Sequence, residues 1–112
     1  MTIYDLVKSA LLQRKAMVIV RKGSDRYVCP HVIGIKIDKK TGRRKQSCLF
    51  YQWDGASETG LGPDGSDLNW RCVPIEQIED AKIIDGERWH TVEVLPTKVS
   101  FCVDEVDAKV WL

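Results

Sequence analysis

The feature that most constrains the fold of this sequence is the spacing of its turn-forming residues after residue 15. Glycine, proline, aspartate and serine divide the chain there into short segments, most of them rich in β-branched and aromatic side chains. Segments of this kind favour strands, and strands joined by tight turns run antiparallel. The sequence therefore predicts a mostly β fold.

The first 15 residues differ from the rest because their apolar side chains recur at helical spacing. These side chains are Ile3, Leu6, Val7, Ala10 and Leu11. The spacing places them on one stripe of a helix. Thr2 and Asp5 resemble a capping box at its start. We expect a helix from Ile3 to Arg14, and hence an α+β fold with one N-terminal helix.

The remaining segments predict a meander of strands. We expect strands at 16–21, 26–37, 46–52, 69–73 and 78–85, with further short strands between 92 and 112. Pro30 and Gly34 interrupt the second strand and favour an edge, a bulge or a bend. Residues 39–45 predict an exposed hairpin tip, and the glycine-rich stretch 53–68 predicts a loop of a length that is often functional or mobile.

Length and composition indicate one soluble globular domain. The chain has 112 residues, of which 44% are hydrophobic and 29% charged, and this suits a single core. No stretch approaches the roughly 20 apolar residues of a membrane span, and the N-terminus lacks a signal-peptide pattern. We therefore expect a cytoplasmic protein with no membrane partner.

Four cysteines lie far apart in the sequence. They are Cys29, Cys48, Cys72 and Cys102. Small secreted disulfide scaffolds usually carry cysteines more densely, and three of these four lie in apolar or alternating segments where a small buried thiol fits. We expect free, buried thiols in a reducing compartment.

Charge is segregated along the chain although the formal net charge is only +1. Residues 1–50 carry 12 Lys/Arg and 3 Asp/Glu, whereas residues 51–112 carry 5 and 13. If folding leaves the basic half on one face, that face could attract phosphates or an acidic protein. If the two halves interleave in one sheet, the charges neutralise one another as cross-strand pairs. We favour the second alternative.

The order of segments resembles a known family. A helix and a β-branched strand precede Arg26-Tyr27-Val28-Cys29-Pro30-His31, and a hairpin leads to Leu49-Phe50-Tyr51 and then Trp70-Arg71-Cys72-Val73 with Ile75 and Ile78. This order is similar to that of the WYL domain of bacterial regulators, over about three quarters of the chain. The resemblance implies a strongly bent antiparallel Sm-like or Src-homology-3-like small barrel at 16–86, after a helix at 1–15 and before an extra C-terminal β segment at 87–112. No helix-turn-helix domain accompanies it.

The resemblance also implies a function and its residues. Similar domains bind regulatory ligands, in some cases nucleic acid, through a basic and aromatic face. On this basis we expect Arg26 and Arg71 to contact a small anionic ligand or single-stranded nucleic acid, because guanidinium groups suit phosphate and carboxylate. His31 and Tyr51 would line the same face. Cross-strand ion pairs for the arginines, and simple packing for His31 and Tyr51, are the structural alternatives.

The hairpin tip supplies candidate phosphate contacts. Its basic residues are Lys39, Lys40, Arg43, Arg44 and Lys45. Clusters of this kind contact phosphate in nucleic-acid-binding proteins, although such a run is more often a solvated turn.

Two other classes of function stay open. The acidic second half, with an exposed Trp53 or Trp111, would suit a protein partner or a homodimer. Cys29 and His31, two residues apart on a strand, could hold a metal or form a thiol site if Cys48 or Cys72 came near. We expect no cofactor, no metal and no enzymatic activity, because no catalytic or metal-ligand spacing is present.

Overall fold

The computed structural model describes residues 1–93 and 102–110 of the chain. It is a mostly β structure with one N-terminal helix, as the sequence predicts. Helix α1 spans Ile3–Gln13, and the Thr2 hydroxyl accepts a hydrogen bond from the backbone N–H of Asp5 at 3.0 Å. Arg14 ends the helix in the left-handed conformation, with φ of 53°. No described helix has the length and apolar character needed to cross a membrane.

Six antiparallel strands form one sheet. They are β1 (Met17–Arg21), β2 (Ser24–Ile37), β3 (Arg44–Gly55), β4 (Trp70–Pro74), β5 (Asp80–Ile83) and β6 (Glu105–Lys109). The strands follow the path β4-β3-β2-β1-β5, and β6 pairs with β2 beside this path. Single turns of 3-10 helix at Asp67–Asn69 and Ile75–Gln77 flank β4. Within the described residues β4 and β5 do not pair, so the sheet is not closed into a barrel.

Strand β2 carries the irregularities that Pro30 and Gly34 predict. Its pairing with β3 shifts register between Tyr27 and Val28 and again between Pro30 and Val32. Its pairing with β6 shifts between Ile33 and Gly34. A Cβ atom on Gly34 would overlap the carbonyl oxygen of Glu105, so a glycine there allows β6 to approach β2 closely.

The sheet buries a different cluster on each face. The larger core packs under α1 and includes Val7, Leu11, Ile19, Val28, Ile33, Phe50 and Val73. The smaller core consists of Val32, Leu49, Cys102 and Val103, with Trp70 packed against it. Side chains opposite one another in an antiparallel pair share a face, so the register assigns each candidate site residue to one of these two faces.

The expectation that all four cysteines are free thiols is wrong for two of them. Cys72 on β4 and Cys102 form a disulfide, with their Cα atoms 5.5 Å apart, while Cys29 and Cys48 are free and buried. The two bonded cysteines are 30 residues apart in sequence. Their proximity depends on how the chain returns to the sheet, and cysteine spacing alone does not reveal this.

The predictions for the C-terminal tail are only partly tested. The predicted strand after Asp104 is present as β6. Residues 94–101 and 111–112, which include most of the other predicted tail strands and Trp111, lie outside the described residues.

The segregated charges are interleaved by the fold. Seven Lys/Arg–carboxylate ion pairs occur in the described parts of the chain, and six of them join a residue before 51 to one after 50. Examples are Lys8–Asp107 at 3.1 Å and Lys45–Glu76 at 3.0 Å. This arrangement is the second of the two alternatives given by the sequence.

Candidate functional site

The two predicted ligand arginines project from the same face of the sheet. Arg26 on β2 is opposite Ile19 on β1, and Arg71 on β4 is opposite Phe50 on β3. Ile19 and Phe50 both belong to the larger core, under α1. The two guanidinium groups also interact electrostatically, since burial and then the charge of Arg26 lower the pKa of Arg71. The structure therefore brings Arg26 and Arg71 together.

The other two predicted site residues lie on the opposite face. Tyr51 is opposite both Cys29 and Trp70 in the register. His31 lies in the bulge between Pro30 and Val32. Its ring contacts those of Trp70 and Tyr51 edge to face, at centroid distances of 4.8 and 6.4 Å. The expectation that all four residues line one face is therefore wrong.

Arg26 has an unusual environment for a charged side chain. It is only 5% exposed, and its Nε has no hydrogen-bond partner in the part of the chain that the structure describes. Among residues 1–93 and 102–110 no carboxylate forms an ion pair with it. Its charge helps to lower the pKa of Glu58, but the hydrogen bond and charge of Lys22 are the main causes of that shift. Arg26 is thus a buried cation with an unused donor.

Arg71 is satisfied by its surroundings. One of its terminal nitrogens donates to the carbonyl oxygens of Leu68 at 2.7 Å and Trp70 at 2.9 Å. The other donates to the loop that precedes β4, reaching Ser57 Oγ, Thr59 Oγ1 and the carbonyl oxygen of Gly60 at 3.0, 3.4 and 2.9 Å. Arg71 therefore fixes the glycine-rich loop beside Arg26.

Other side chains hold the same loop. The side-chain oxygen of Asn69 accepts from the backbone N–H of Gly62 at 2.8 Å, and its nitrogen donates to the Gly62 carbonyl at 3.1 Å. The Tyr51 hydroxyl accepts from the N–H of Gly65 at 2.7 Å and donates to the carbonyl of Ser66 at 2.8 Å. These contacts give Tyr51 a structural role and give the loop a defined conformation.

His31 is a buried structural histidine. Its Nδ1 lies 2.8 Å from the carbonyl oxygen of Cys29, and its Nε2 lies 2.7 Å from the Thr91 hydroxyl. Burial is the main cause that lowers its pKa to about 4, so the ring is neutral at pH 7. A neutral, fully enclosed imidazole of this kind is poorly suited to anion binding.

The basic residues of the hairpin tip fall into two groups, those in ion pairs and those exposed at the turn. Arg44 pairs with Glu105 and Lys45 with Glu76, whereas Lys39, Lys40 and Arg43 are exposed at the turn. The carboxylate of Asp38 accepts from the backbone N–H of Lys40 and of Thr41 at 2.8 and 3.0 Å, and these bonds lower its pKa. The tip lies at the far end of β2 from Arg26, up to roughly 36 Å away along an extended strand.

The thiols do not assemble with His31. Cys48 is opposite Ile33 and belongs to the larger core, while Cys29 is opposite Tyr51 on the other face. Burial raises the pKa of Cys29 to about 12 and that of Cys48 well above its usual value, so neither is a ready nucleophile or ligand. Among the described residues no group of three or more His, Cys, Asp and Glu side chains could hold a metal ion.

Sequence reasoning missed a second histidine cluster. The His90 ring stacks on Trp53 at 4.1 Å, and its two nitrogens each lie 2.8 Å from a carboxylate oxygen, of Asp64 and of Glu87. His90 is 4% exposed, so this cluster joins the glycine-rich loop to residues 87–90. Trp53 is therefore packed, and no local sequence signal places His90 beside Asp64, 26 residues earlier.

Comparisons of this chain with protein-family models, with curated proteins and with solved structures found no match. The WYL-like resemblance therefore stays a prediction.

Proposed function

We propose that this chain is a non-enzymatic, WYL-like module that binds an anionic ligand with Arg26 as its anchor. The observation that carries the proposal is a guanidinium that is 5% exposed and whose Nε has no hydrogen-bond partner within residues 1–93 and 102–110. Leaving a buried charged donor unpaired costs at least about 1–3 kcal/mol. An anion that accepts from Arg26 would recover that free energy, and phosphate and carboxylate match a guanidinium best.

The strand path supports the small-barrel part of the proposal. The outer strands β4 and β5 are joined by residues 75–79 alone, three of which form a 3-10 turn. In a flat sheet, strands four positions apart are separated by roughly 19 Å, whereas this connection spans roughly 16 Å at most. A bent sheet accommodates this short connection, which supports the barrel that we propose.

The ligand that we favour is single-stranded nucleic acid. The tip residues Lys39, Lys40 and Arg43 are exposed cations, and they lie at the opposite end of β2 from Arg26. A polyanion can contact both groups, whereas a small anion can reach only one. A contribution of the tip residues to the binding affinity would therefore distinguish a nucleic acid from a small anionic ligand.

The test is fluorescence anisotropy with a short labelled single-stranded DNA and an RNA of the same sequence, at low and moderate salt. Arg26→Met removes the charge and keeps an apolar chain of similar length. We expect it to weaken binding by roughly ten- to a hundredfold, the value of a charge-assisted hydrogen bond. Arg21→Met is the matched control, because Arg21 donates instead to Gln77 at 3.0 Å.

The tip is tested with Lys39→Ala/Lys40→Ala/Arg43→Ala. If the ligand is nucleic acid, this variant weakens binding and flattens its dependence on salt. If inorganic phosphate binds through Arg26 and neither oligonucleotide does, the ligand is a small anion. Equal affinity of the wild type and Arg26→Met for every probe, or no binding at low salt, would refute the proposal.

The structure bears on two other predictions but does not test them. A protein partner or homodimer stays a prediction, but the ion pairs between the halves leave less of the acidic surface unmatched. A cytoplasmic location also stays a prediction, and the Cys72–Cys102 disulfide is unusual for a compartment that keeps thiols reduced. A cytoplasmic protein would form this bond transiently.

A further inference from the structure

The Cys72–Cys102 disulfide joins β4 to the segment formed by residues 102–110. Its two sulfur atoms have unequal surroundings. Cys72 belongs to the exposed residues of β4, whereas Cys102 is 1% exposed and packs with Val32, Leu49 and Val103. An external thiol can therefore approach the Cys72 side of the bond more easily than the Cys102 side.

The other attachments of segment 102–110 are noncovalent. Cys102, Val103 and Val110 are buried against the two cores, and the Asp104 carboxylate accepts from the Ile37 N–H at 2.7 Å. Strand β6 forms four residue pairs with β2. Two hydrogen bonds flank this pairing, from Asp104 N–H to the Ile35 carbonyl at 2.8 Å and from Val110 N–H to the His31 carbonyl at 2.9 Å. Exposed ion pairs from Asp107 and Glu105 add little to such an edge strand. Apart from the main chain, the disulfide is the only covalent link between this segment and residues 1–93.

We propose that Cys72–Cys102 is a reversible redox site that controls the docking of segment 102–110 on β2. This proposal does not depend on the ligand of Arg26. In the oxidised protein the segment is held against the edge formed by residues 32–35, and two-electron reduction allows it to leave that edge.

The exchange chemistry follows from the positions of three side chains. A thiolate of a small dithiol attacks Cys72 Sγ and forms a mixed disulfide, while the bond to Cys102 breaks and its electron pair stays on Cys102 Sγ. The Ser47 hydroxyl lies 3.4 Å from Cys102 Sγ and can donate to that thiolate. The second thiolate of the reagent then attacks the reagent sulfur that is bonded to Cys72. This step releases the Cys72 thiolate and leaves the reagent as a cyclic disulfide.

The two remaining cysteines do not compete in this exchange. Cys29 and Cys48 are buried, and burial raises the pKa of both thiols. Thiol labelling therefore reports on Cys72 and Cys102 without background from the free pair.

The test is native-state amide hydrogen exchange of the full chain, with and without dithiothreitol. The reporters are the Asp104 and Val110 amides, and the reference is the Ile84 amide, which donates to the Ala16 carbonyl at 2.9 Å between other elements. Gly34→Ala supplies an undocked standard, since a Cβ there overlaps the Glu105 carbonyl oxygen. Cys102→Ser cannot form the disulfide and serves as a reference for the reduced state.

We expect reduction to lower the protection of Asp104 and Val110 by at least tenfold, toward the Gly34→Ala values, while the Ile84 amide stays protected. Cys102→Ser should behave like the reduced wild type. Unchanged protection after reduction would overturn the proposal. Equal loss at Ile84, which indicates global unfolding, would overturn it too, as would a bond that dithiothreitol cannot reduce in the folded protein.

The assignment of the attacked sulfur has its own test. When the oxidised wild type is treated briefly with reduced glutathione and then alkylated, the mixed disulfide should be found on Cys72 and not on Cys102 by peptide mass spectrometry. Ser47→Ala should slow the reduction of the wild-type bond by roughly fivefold, the value of about one hydrogen bond. A mixed disulfide on Cys102 would contradict this order of attack, and an unchanged rate in Ser47→Ala would remove Ser47 from the mechanism.

Discussion

Arg26 and Arg71 carry the same charged group on the same face of the sheet but meet opposite conditions. Arg71 donates to three backbone carbonyls and two hydroxyls of the loop beside it. Arg26 is more deeply buried, and its Nε donates to no atom of the described residues. The loss of charge should therefore affect stability in opposite ways at these two positions.

We expect Arg26→Met to leave the free energy of unfolding unchanged or to raise it by about 1 kcal/mol, because an apolar chain replaces an unpaired buried charge. Arg71→Met should lower the free energy of unfolding by about 2–3 kcal/mol, since it leaves loop carbonyls without donors. Urea unfolding of both variants measures the difference. A large loss of stability in Arg26→Met would mean that the protein already satisfies this charge.

His31 predicts a dependence of stability on pH. Its pKa in the folded state is lowered to about 4, chiefly by burial, from a usual value of 6.5. The unfolded state binds the proton first as pH falls, so this contribution is complete above pH 6.5 and is lost progressively toward pH 4. A shift of this size is worth about 3 kcal/mol.

The measurement compares urea unfolding of the wild type and His31→Gln between pH 7.5 and 5. The free energy of unfolding should fall more steeply for the wild type across this range, and the difference between the two slopes isolates the contribution of His31. Parallel slopes would show that folding does not lower the pKa of His31.

At the residue scale the sequence predicted only part of the candidate site. It selected Arg26 and Arg71. It could not show that Arg71 would be occupied by the loop, because the loop atoms that Arg71 contacts belong to residues 11 to 14 positions earlier in the sequence. It placed His31 and Tyr51 on the wrong face. Residues five apart on a strand point to opposite faces, so alternation from Arg26 already separates it from His31, and the register places Tyr51 opposite Cys29 and Trp70.

At the scale of elements, the attachment of β6 depends on one glycine. Gly34 does not have a positive φ, but its missing side chain admits the backbone of Glu105. We expect Gly34→Ala to displace β6 and to lower the free energy of unfolding by about 1–3 kcal/mol, a typical cost of overpacking. Hydrogen exchange at Val110, whose N–H donates to the His31 carbonyl, reports the displacement directly.

The matched control is Gly42→Ala in the exposed hairpin turn. Gly42 has a φ of 72° but nothing within 4 Å of a Cβ, so only a local conformational cost of about 1 kcal/mol should appear. Val110 should keep its protection in this variant. If Gly34→Ala also preserves that protection, β6 is not held by the close approach that we describe.

Elements with a local signal were predicted well, and the helix is the clearest case. The predicted Ile3 to Arg14 became Ile3–Gln13, because the apolar stripe and Thr2 are both local features. The third strand was predicted to end at Gln52 but continues to Gly55, since Asp54 and Gly55 pair with Tyr27 and Arg26 on β2. The attachment of β6 to β2 and the disulfide likewise depend on contacts between distant segments, and hydrophobic periodicity does not report these.

At the scale of the whole molecule, ion pairs connect the two halves of the sequence, and a disulfide links two distant segments of the second half. The ion pairs between the halves are mostly exposed and contribute little individually. The disulfide closes a loop with a sequence separation of 30. A loop of this length is expected to stabilise the chain by roughly 3–4 kcal/mol, through the entropy of the unfolded state.

We expect the reduced protein to remain folded and to lose free energy of unfolding by about that amount, 3–4 kcal/mol. Urea unfolding with and without dithiothreitol measures the loss, and Cys72→Ala/Cys102→Ala repeats it without a reductant. Identical midpoints in the two states would show that the bond contributes nothing to the stability of the chain.

The central claim is that the Arg26 guanidinium binds an anion, and nuclear magnetic resonance of the arginine side chains tests it most directly. The Nε–H signal of Arg26, assigned by its loss in Arg26→Met, is followed while single-stranded DNA or inorganic phosphate is added. We predict that this signal shifts in a saturable manner, while the signal of Arg21 stays in place. An Arg26 signal that neither probe moves would contradict the claim, because the buried donor would then have no use for an anion.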